Sequence, residues 1–404
     1  MNANRIVYIC QTFPWVTQTF VIRDVDLLRK QGIDVQVASF RRPPDDLMDS
    51  AARRMLSHTT FLPPPLSVDF ARGVLRVFRR KPLVIIRLTA VGLFSRGLLR
   101  TTWRMRIRGG LAALRGAWIA DRFPDASHFH GEFADEAATA AMAAAELAGK
   151  SFSFKSHASF NPQQLERKKA RAAFIVTESE FDRRYYLADV PRERVLVNRG
   201  GIAVRPRPGE PKPGAFLRIL SVGTLQEKKG HRFLIAALAL LRDRQAPFRC
   251  LIVGSGPLEA ELHAQIEEAG LESQITLEPY RRHDAVAQLY RENDVFVLPC
   301  VVTPDGDRDG IPAVLIEAGA AGCALVSTPV SGIPELIRDG ESGLLVAERD
   351  ENGLAEALSR LVDPELRAAL GRGAQNAVRE RFDIRRNAAE LADRFRSEIS
   401  RSQS

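Results

Sequence analysis

Four side chains in the second half of the sequence have types and spacings suited to handling a phosphorylated sugar. Lys228 and Lys229 follow a strand-like run ending Ser221-Val222-Gly223, in SVGTLQEKKG, and stand just before a helical segment. A glycine at a strand's carboxyl end admits a ligand to the backbone, a helix start offers unpaired N–H groups, and a lysine can neutralise phosphate. Asp309 and Glu317 lie eight apart in DGIPAVLIEA, one in the loop before a helix and the other about two turns inside it. Two carboxylates so placed can accept hydrogen bonds from sugar hydroxyls. Glu317 sits among Val314, Leu315, Ile316 and Ala318, so it needs a partner: a ribose diol or, as a structural alternative, an arginine.

A second strand-to-helix turn, LIVGSGP, brings Gly254 and Gly256 close to the same place, but the third glycine of a dinucleotide fingerprint falls on Glu259. In the first half, FSFKSHA places His157 at the end of a predicted strand, where ligands of doubly wound sheets bind. The alternative is a structural histidine. SHFHGE supplies His128, His130 and Glu132 near another strand end. Asp305, Gly306 and Asp307 form an Asp-x-Asp triplet without a further ligand set, so metal ligation is not expected.

The elements that must position these groups follow one rhythm. Arg5 to Cys10, Ile33 to Phe40, Leu217 to Val222, Arg249 to Val253, Gln274 to Leu277 and Val295 to Leu298 read as strands. Phe20 to Lys30, Phe233 to Arg242 and Leu258 to Ala269 read as helices between them. Such alternation predicts parallel sheets with crossover helices. RPRPGEPKPG, residues 205–214, reads as a linker, which divides the chain into 1–204 and 215–380 as two Rossmann-like domains facing across a cleft. Ala369 to Ile399 is helical with a break at Phe382 and Asp383, and 381–404 is expected to cross back to the first domain.

At 404 residues, 45% apolar and 26% charged, the composition is that of an ordinary globular protein of more than one core. Residues 1–205 carry 33 Lys/Arg against 19 Asp/Glu, a balance of +14, while 206–404 carry 25 against 30, a balance of −5. Phe70 to Ala120 holds twelve basic residues and no acid, interleaved with Leu, Val, Ile, Phe94, Trp103 and Trp118. Basic amphipathic helices bind anionic membrane surfaces. Nucleic acid is not the expected partner, since no nucleic-acid module accompanies the charge. Cys10, Cys250, Cys300 and Cys323 are scattered, which fits a reducing compartment. The amino terminus does not read as a signal peptide, and no window approaches the ~20 apolar residues of a membrane span, so a cytoplasmic protein, peripheral on the inner face of the membrane, is expected.

GTLQEKKG, GSGPL, DGIPAVLIEA, STPVSGIPELIRDGESGLLV and the amino-terminal PWVTQTFVIRDV resemble the retaining nucleotide-sugar glycosyltransferases of family 4, of two-domain GT-B fold. The likeness is greatest to bacterial enzymes that build exopolysaccharides such as colanic acid, and it runs from about Ile6 to Asn387. The resemblance implies a UDP- or GDP-type sugar donor, no required cofactor or metal, and a glycan or polyprenyl-linked acceptor. It assigns Lys229, with Lys228, to the diphosphate, Glu317 to the ribose, Asp309 and the backbone of Gly310, Ile311 and Pro312 to the sugar, and Tyr280 and Arg281 to the base. Gly223, Thr224 and Gly256 would shape that site, and His157 would face the donor from the first domain, giving His157, Lys229 and Glu317 as the catalytic set. Gln18, Thr19, His130 and Glu132 would stand on the acceptor side. Two positions depart from the family: Thr224 stands where an arginine is usual, and Asp309 where a glutamate is usual. Two other functions fit the same elements. One is a dinucleotide-dependent oxidoreductase, the other a membrane-docked nucleotide-sugar-binding protein that no longer catalyses.

Overall fold

The computed structural model of the chain describes residues 5–15, 19–45, 48, 50–94, 103–157, 164–202 and 216–401. They divide into two compact units, one of residues 1–178, 182–200 and 385–404, the other of 179–181 and 201–384. The linker read at 205–214 and Gln18 lie outside the described residues.

The first unit holds β1 (Arg5–Thr12), β2 (Asp34–Arg41), β3 (Thr59–Phe61), β4 (His128–Glu132), β5 (Ser151–Ser156), β6 (Phe174–Thr177) and β7 (Val195–Val197). They form one parallel sheet in the order β3-β2-β1-β4-β5-β6-β7. The second unit holds β8 (Leu217–Val222), β9 (Phe248–Val253), β10 (Ile275–Glu278), β11 (Val295–Leu298), β12 (Ala324–Ser327) and β13 (Leu344–Leu345), parallel in the order β10-β9-β8-β11-β12-β13. Both are α/β sheets of the kind the alternating pattern predicts.

Burial on both faces explains the strand sequences. Along β1, Val7 and Ile9 join one apolar cluster while Ile6, Tyr8 and Cys10 join the other. Along β8, Leu217 and Ile219 point to one cluster, and Leu220 and Val222 to another. A strand covered twice reads as a continuous apolar run, since parallel sheets need helices on each face. In the first unit the alanine-rich helix Glu136–Ala148 supplies one such cover, and small side chains let its neighbour approach closely: a Cβ at Gly116 would stand 2.6 Å from the Ala140 carbonyl oxygen.

The other face is closed from far along the chain. The helices Pro364–Arg381 and Ile384–Arg401 are separated at Phe382 and Asp383. Leu391, Ala392, Phe395 and Ile399 of the second helix are buried in the core of the first unit. The Phe395 ring packs 5.5 Å from that of His128 and 5.4 Å from that of His130.

Candidate active site

In an open α/β sheet the crevice for ligands lies at the carboxyl ends of the strands where the strand order reverses. In the second unit that point falls between β8 and β11, whose following loops carry the lysines and the acids respectively. After β8 the chain passes Gly223 and Thr224 and makes a 3-10 turn, Glu227–Lys229. It then enters the helix His231–Asp243 through Gly230. Gly230 has φ +72°, and a Cβ there would lie 1.9 Å from the Pro299 carbonyl oxygen, so only glycine lets this turn press against the end of β11. The turn after β9 is stitched to it by backbone contact: Cβ atoms at Gly254 and Gly256 would meet the carbonyl oxygens of Gly223 at 1.9 Å and Leu225 at 2.5 Å. The two glycines of GSG thus serve close packing of two turns, and no dinucleotide motif is needed to explain them.

Lys229 Nζ stands 2.7 Å from Asp309 Oδ2, with the side chains only 13% and 16% exposed. Lys228 Nζ stands 3.0 Å from Asp307 Oδ2, in a wetter pair. Both lysines are thus joined to the loop that leaves β11. In that loop the Thr303 hydroxyl and backbone N–H donate to the Asp307 carbonyl at 3.0 and 2.9 Å, and Asp305 accepts from the Thr303 hydroxyl and from the Asp307 N–H. Asp305, Gly306 and Asp307 therefore form a local turn held by its own hydrogen bonds. Among the described residues no group of three or more His, Cys, Asp or Glu side chains is disposed to hold a metal ion.

Gly310, Ile311 and Pro312 lead from Asp309 into the helix Ala313–Ala320, whose start carries no side-chain cap. Glu317 is half-buried on that helix, and the Tyr290 hydroxyl donates to its Oε2 at 3.2 Å. Burial in the first place, with the nearby Glu317 carboxylate, pushes the Tyr290 hydroxyl well above its ordinary pKa, so it stays a donor. Tyr280 and Arg281 follow β10: Tyr280 is 64% exposed, its backbone N–H donates to Ser255 Oγ, and Arg281 pairs with Glu278 at 2.5 Å.

In the first unit the strand order reverses between β1 and β4. Alternation along β4 places His128, His130 and Glu132 on one face, in register with Ser151, Ser153 and Lys155 of β5. His128 meets Ser151 and Ser153 at 2.8 and 2.7 Å, and Ser153 also meets His130 at 2.7 Å. Burial lowers His128 to about 3, and His130 is likewise pushed well down, so both rings are neutral. Beyond β5, His157 is held between Glu132 at 2.7 Å and Glu178 at 3.0 Å, with the rings of Phe133 and Phe20 at 4.3 and 4.9 Å. Burial opposes charge on this ring, but the two carboxylates outweigh it and raise His157 to about 9, leaving an imidazolium. Lys155 reaches Asp24 at 2.9 Å and Glu178 at 3.6 Å.

His157 therefore lies at a strand end, as a sealed cation 8% exposed with both ring nitrogens engaged. His130 and Glu132 are wholly buried behind it and present no atom at the surface. Thr19 opens the helix Thr19–Lys30. Asp24, Lys155, Glu178, Tyr290 and His231 have no place in the motif reading. Asp24 could have been flagged, because it stands on the apolar stripe of its helix with Phe20, Val21, Val25 and Leu28, where an acid needs a buried partner.

Comparison with known proteins gives this geometry a family. Residues 217–364 match the family model described as Glycosyl transferases group 1. The second unit carries a glycosyl transferases group 1 domain. The chain is 38% identical over 207 residues to WcaL of Escherichia coli (strain K12), named for colanic acid biosynthesis, covering 50% of this chain and 51% of that protein. It is 39% identical over 180 residues to the amylovoran biosynthesis glycosyltransferase AmsK of Erwinia amylovora, covering 43% of this chain and 44% of that protein. The matched region spans about half the length of these relatives. Among solved structures, Anabaena Alr3699/HepE in complex with UDP superposes with a TM-score of 0.70 at 17% identity, over 97% of this chain and 100% of that one. The GT-B fold and the likeness to exopolysaccharide glycosyltransferases expected from the motifs are both borne out. No helix among the described residues is long and apolar enough to cross a membrane.

Proposed function

We propose that the protein is a retaining glycosyltransferase of family 4. It moves a sugar from a nucleoside diphosphate donor to a glycan or polyprenyl-linked acceptor in the assembly of a bacterial surface polysaccharide. The observation that carries this reading is the Lys229–Asp309 pair at the strand-order reversal of a glycosyl transferases group 1 domain.

Asp309 pairs with the cation that a diphosphate would take. An arriving diphosphate competes for Lys229, and the released Asp309 carboxylate, with the backbone of Gly310 to Pro312, accepts from sugar hydroxyls. Glu317, steadied by Tyr290, takes the ribose diol, and Tyr280 and Arg281 border the base. The bond between the anomeric carbon and the phosphate oxygen breaks with its electron pair leaving on the diphosphate. The acceptor oxygen bonds to that carbon on the same face, and its proton passes to the departing phosphate. Lys229, Lys228 and the uncapped starts of the helices His231–Asp243 and Ala313–Ala320 stabilise the leaving charge, so the step requires no metal or cofactor. Gly223, Thr224 and Gly256 shape the turns around it. His157, its charge balanced by Glu132 and Glu178, is assigned to the first unit as a positioning residue. The acceptor is assigned to that unit, with Gln18 and Thr19 beside it and His130 and Glu132 acting through His157.

The donor test is thermal stabilisation by a panel of UDP-, GDP-, ADP- and dTDP-sugars. One class should raise the melting temperature, by the equivalent of about 2.7 kcal/mol at a hundredfold excess over Kd. Stabilisation by NADH and by no nucleotide sugar would sink the reading. HepE was solved with UDP, which makes the uridine series the first to try.

The helices Val68–Arg80, Pro82–Phe94 and Trp103–Arg122 favour membrane docking. Leu75, Phe78, Leu83, Ile86, Trp103 and Ile107 are exposed there beside Arg72, Arg79, Arg80, Lys81 and Arg104. Other arginines of this stretch are held by acids of the same unit: Arg76 pairs with Asp121, Arg87 with Glu146, and the more buried Arg115 with Glu136. The protein is thus assigned to the cytoplasmic face of a membrane, where a polyprenyl-linked acceptor would lie. Co-sedimentation with anionic vesicles should fall with salt, and equal binding to neutral vesicles would remove the electrostatic part of this reading.

A further inference from the structure

His231 opens the helix that follows the paired lysines, and it has no job in the scheme above. Its residue is 2% exposed, and neither ring nitrogen has a hydrogen-bond partner. A buried polar group left alone is destabilising, which makes an orphaned ring at a ligand site informative. Burial, together with the adjacent Lys229 charge, lowers its pKa to about 3, so the ring is neutral and carries one N–H donor.

The ring's orientation follows from what surrounds Gly223. A Cβ at Gly223 would stand 3.5 Å from Lys229 Cδ and 3.6 Å from His231 Cε1, both ordinary contact distances, so the place that this glycine leaves open is bordered by these two side chains. Cε1 is bonded to both ring nitrogens, and the edge turned toward Gly223 is therefore the polar edge. The helix start beside it has no side-chain cap. An open glycine, a lysine, an uncapped helix of thirteen residues and an orphaned imidazole thus converge on one spot.

We propose that His231 is a binding residue for the nucleoside diphosphate: its ring N–H donates to a phosphate oxygen lying over Gly223, next to Lys229. This rests on the glycosyltransferase reading and adds to it a neutral donor that fixes the phosphate's position, complementing the charge that Lys229 supplies. A fixed N–H at this point also bears on Thr224, which takes the place of the family's usual arginine: the phosphate then has a second protein contact besides lysine.

The test is a calorimetric affinity series, uridine, UMP and UDP, with the guanosine series run alongside, on the full chain and two variants. His231→Leu has a similar volume and no polar atom. It should melt at or above the wild-type temperature, because it removes orphaned nitrogens, yet bind the preferred nucleoside diphosphate about 10- to 100-fold more weakly while nucleoside binding is unchanged. His231→Gln keeps an N–H donor and should recover most of that loss. The inference is overturned if His231→Leu binds the diphosphate as the wild type does. Equal loss for nucleoside and diphosphate, or a lower melting temperature without selective loss, overturns it too, since either marks a packing role. Failure of the wild type to bind any nucleoside diphosphate would instead overturn the glycosyltransferase reading beneath it.

Discussion

At the carboxyl ends of the second sheet the cations are partly open to water and each holds one acid, Lys229 with Asp309 and Lys228 with Asp307. At the corresponding ends of the first sheet, Lys155 and His157 are sealed among Asp24, Glu132 and Glu178. The Lys228–Asp307 pair, its acid 54% exposed, is worth about 0–1 kcal/mol, and each lysine here holds a single carboxylate whose place a ligand's anion can take. A buried network holds its members in place because removing one strands the others. The same residue types at the same topological position therefore give an exchangeable site in one unit and a fixed framework in the other.

The largest expected effect tests the framework. Asp24→Ala takes from the buried Lys155 its closer carboxylate and puts none in place of it beside the longer contact to Glu178, and urea unfolding of the first unit should shift by the equivalent of about 3–5 kcal/mol. A negligible shift would show that this network is no more fixed than the lysine pairs. The opposite outcome is expected at the exchangeable site. Lys229→Ala should cut sugar transfer by roughly 10²–10³-fold with a smaller loss of stability than Asp24→Ala, and near-normal transfer would remove Lys229 from the mechanism.

A pH series sharpens the contrast. The folded pKa of His157, about 9, lies above its ordinary value near 6.5. Its stabilising contribution is therefore full below pH ~6.5 and lost as pH rises through 9, with a slope of up to about 1.4 kcal/mol per pH unit. Chemical unfolding at several pH values should show this alkaline decline in the wild type and not in His157→Gln. An unchanged decline in the variant would place its origin elsewhere. The smallest effect belongs to Lys228→Ala: its partner Asp307 is 54% exposed, and donor affinity measured by calorimetry should change by less than about threefold.

How far the sequence could be read follows from which signals are local. β8 is found where the apolar run places it, at Leu217–Val222, and the helix break falls at Phe382 and Asp383, because burial on both faces and the end of a helical pattern leave marks on consecutive residues. β3, β7 and β13, of two or three residues, are too short to show a period. The lysines and acids were individually legible, but not that Lys229 holds Asp309, since that pairing comes from the adjacency of β8 and β11 across eighty residues. Glu178 meets His157 for the same reason, through β5 and β6. His231 reads as one more helical residue in HRFLIAALAL, and only the ring's surroundings set it apart.

The helix Ile384–Arg401 imposes an order on biosynthesis. A ribosome delivers every strand of the first sheet before residue 200, yet the rings of His128 and His130 are not covered until Phe395 has emerged. Residues 201–384 can meanwhile complete their own core. The unit translated first is therefore finished last. Until then the histidine pair has the rings of Tyr8 and Phe174 against it but lacks that of Phe395.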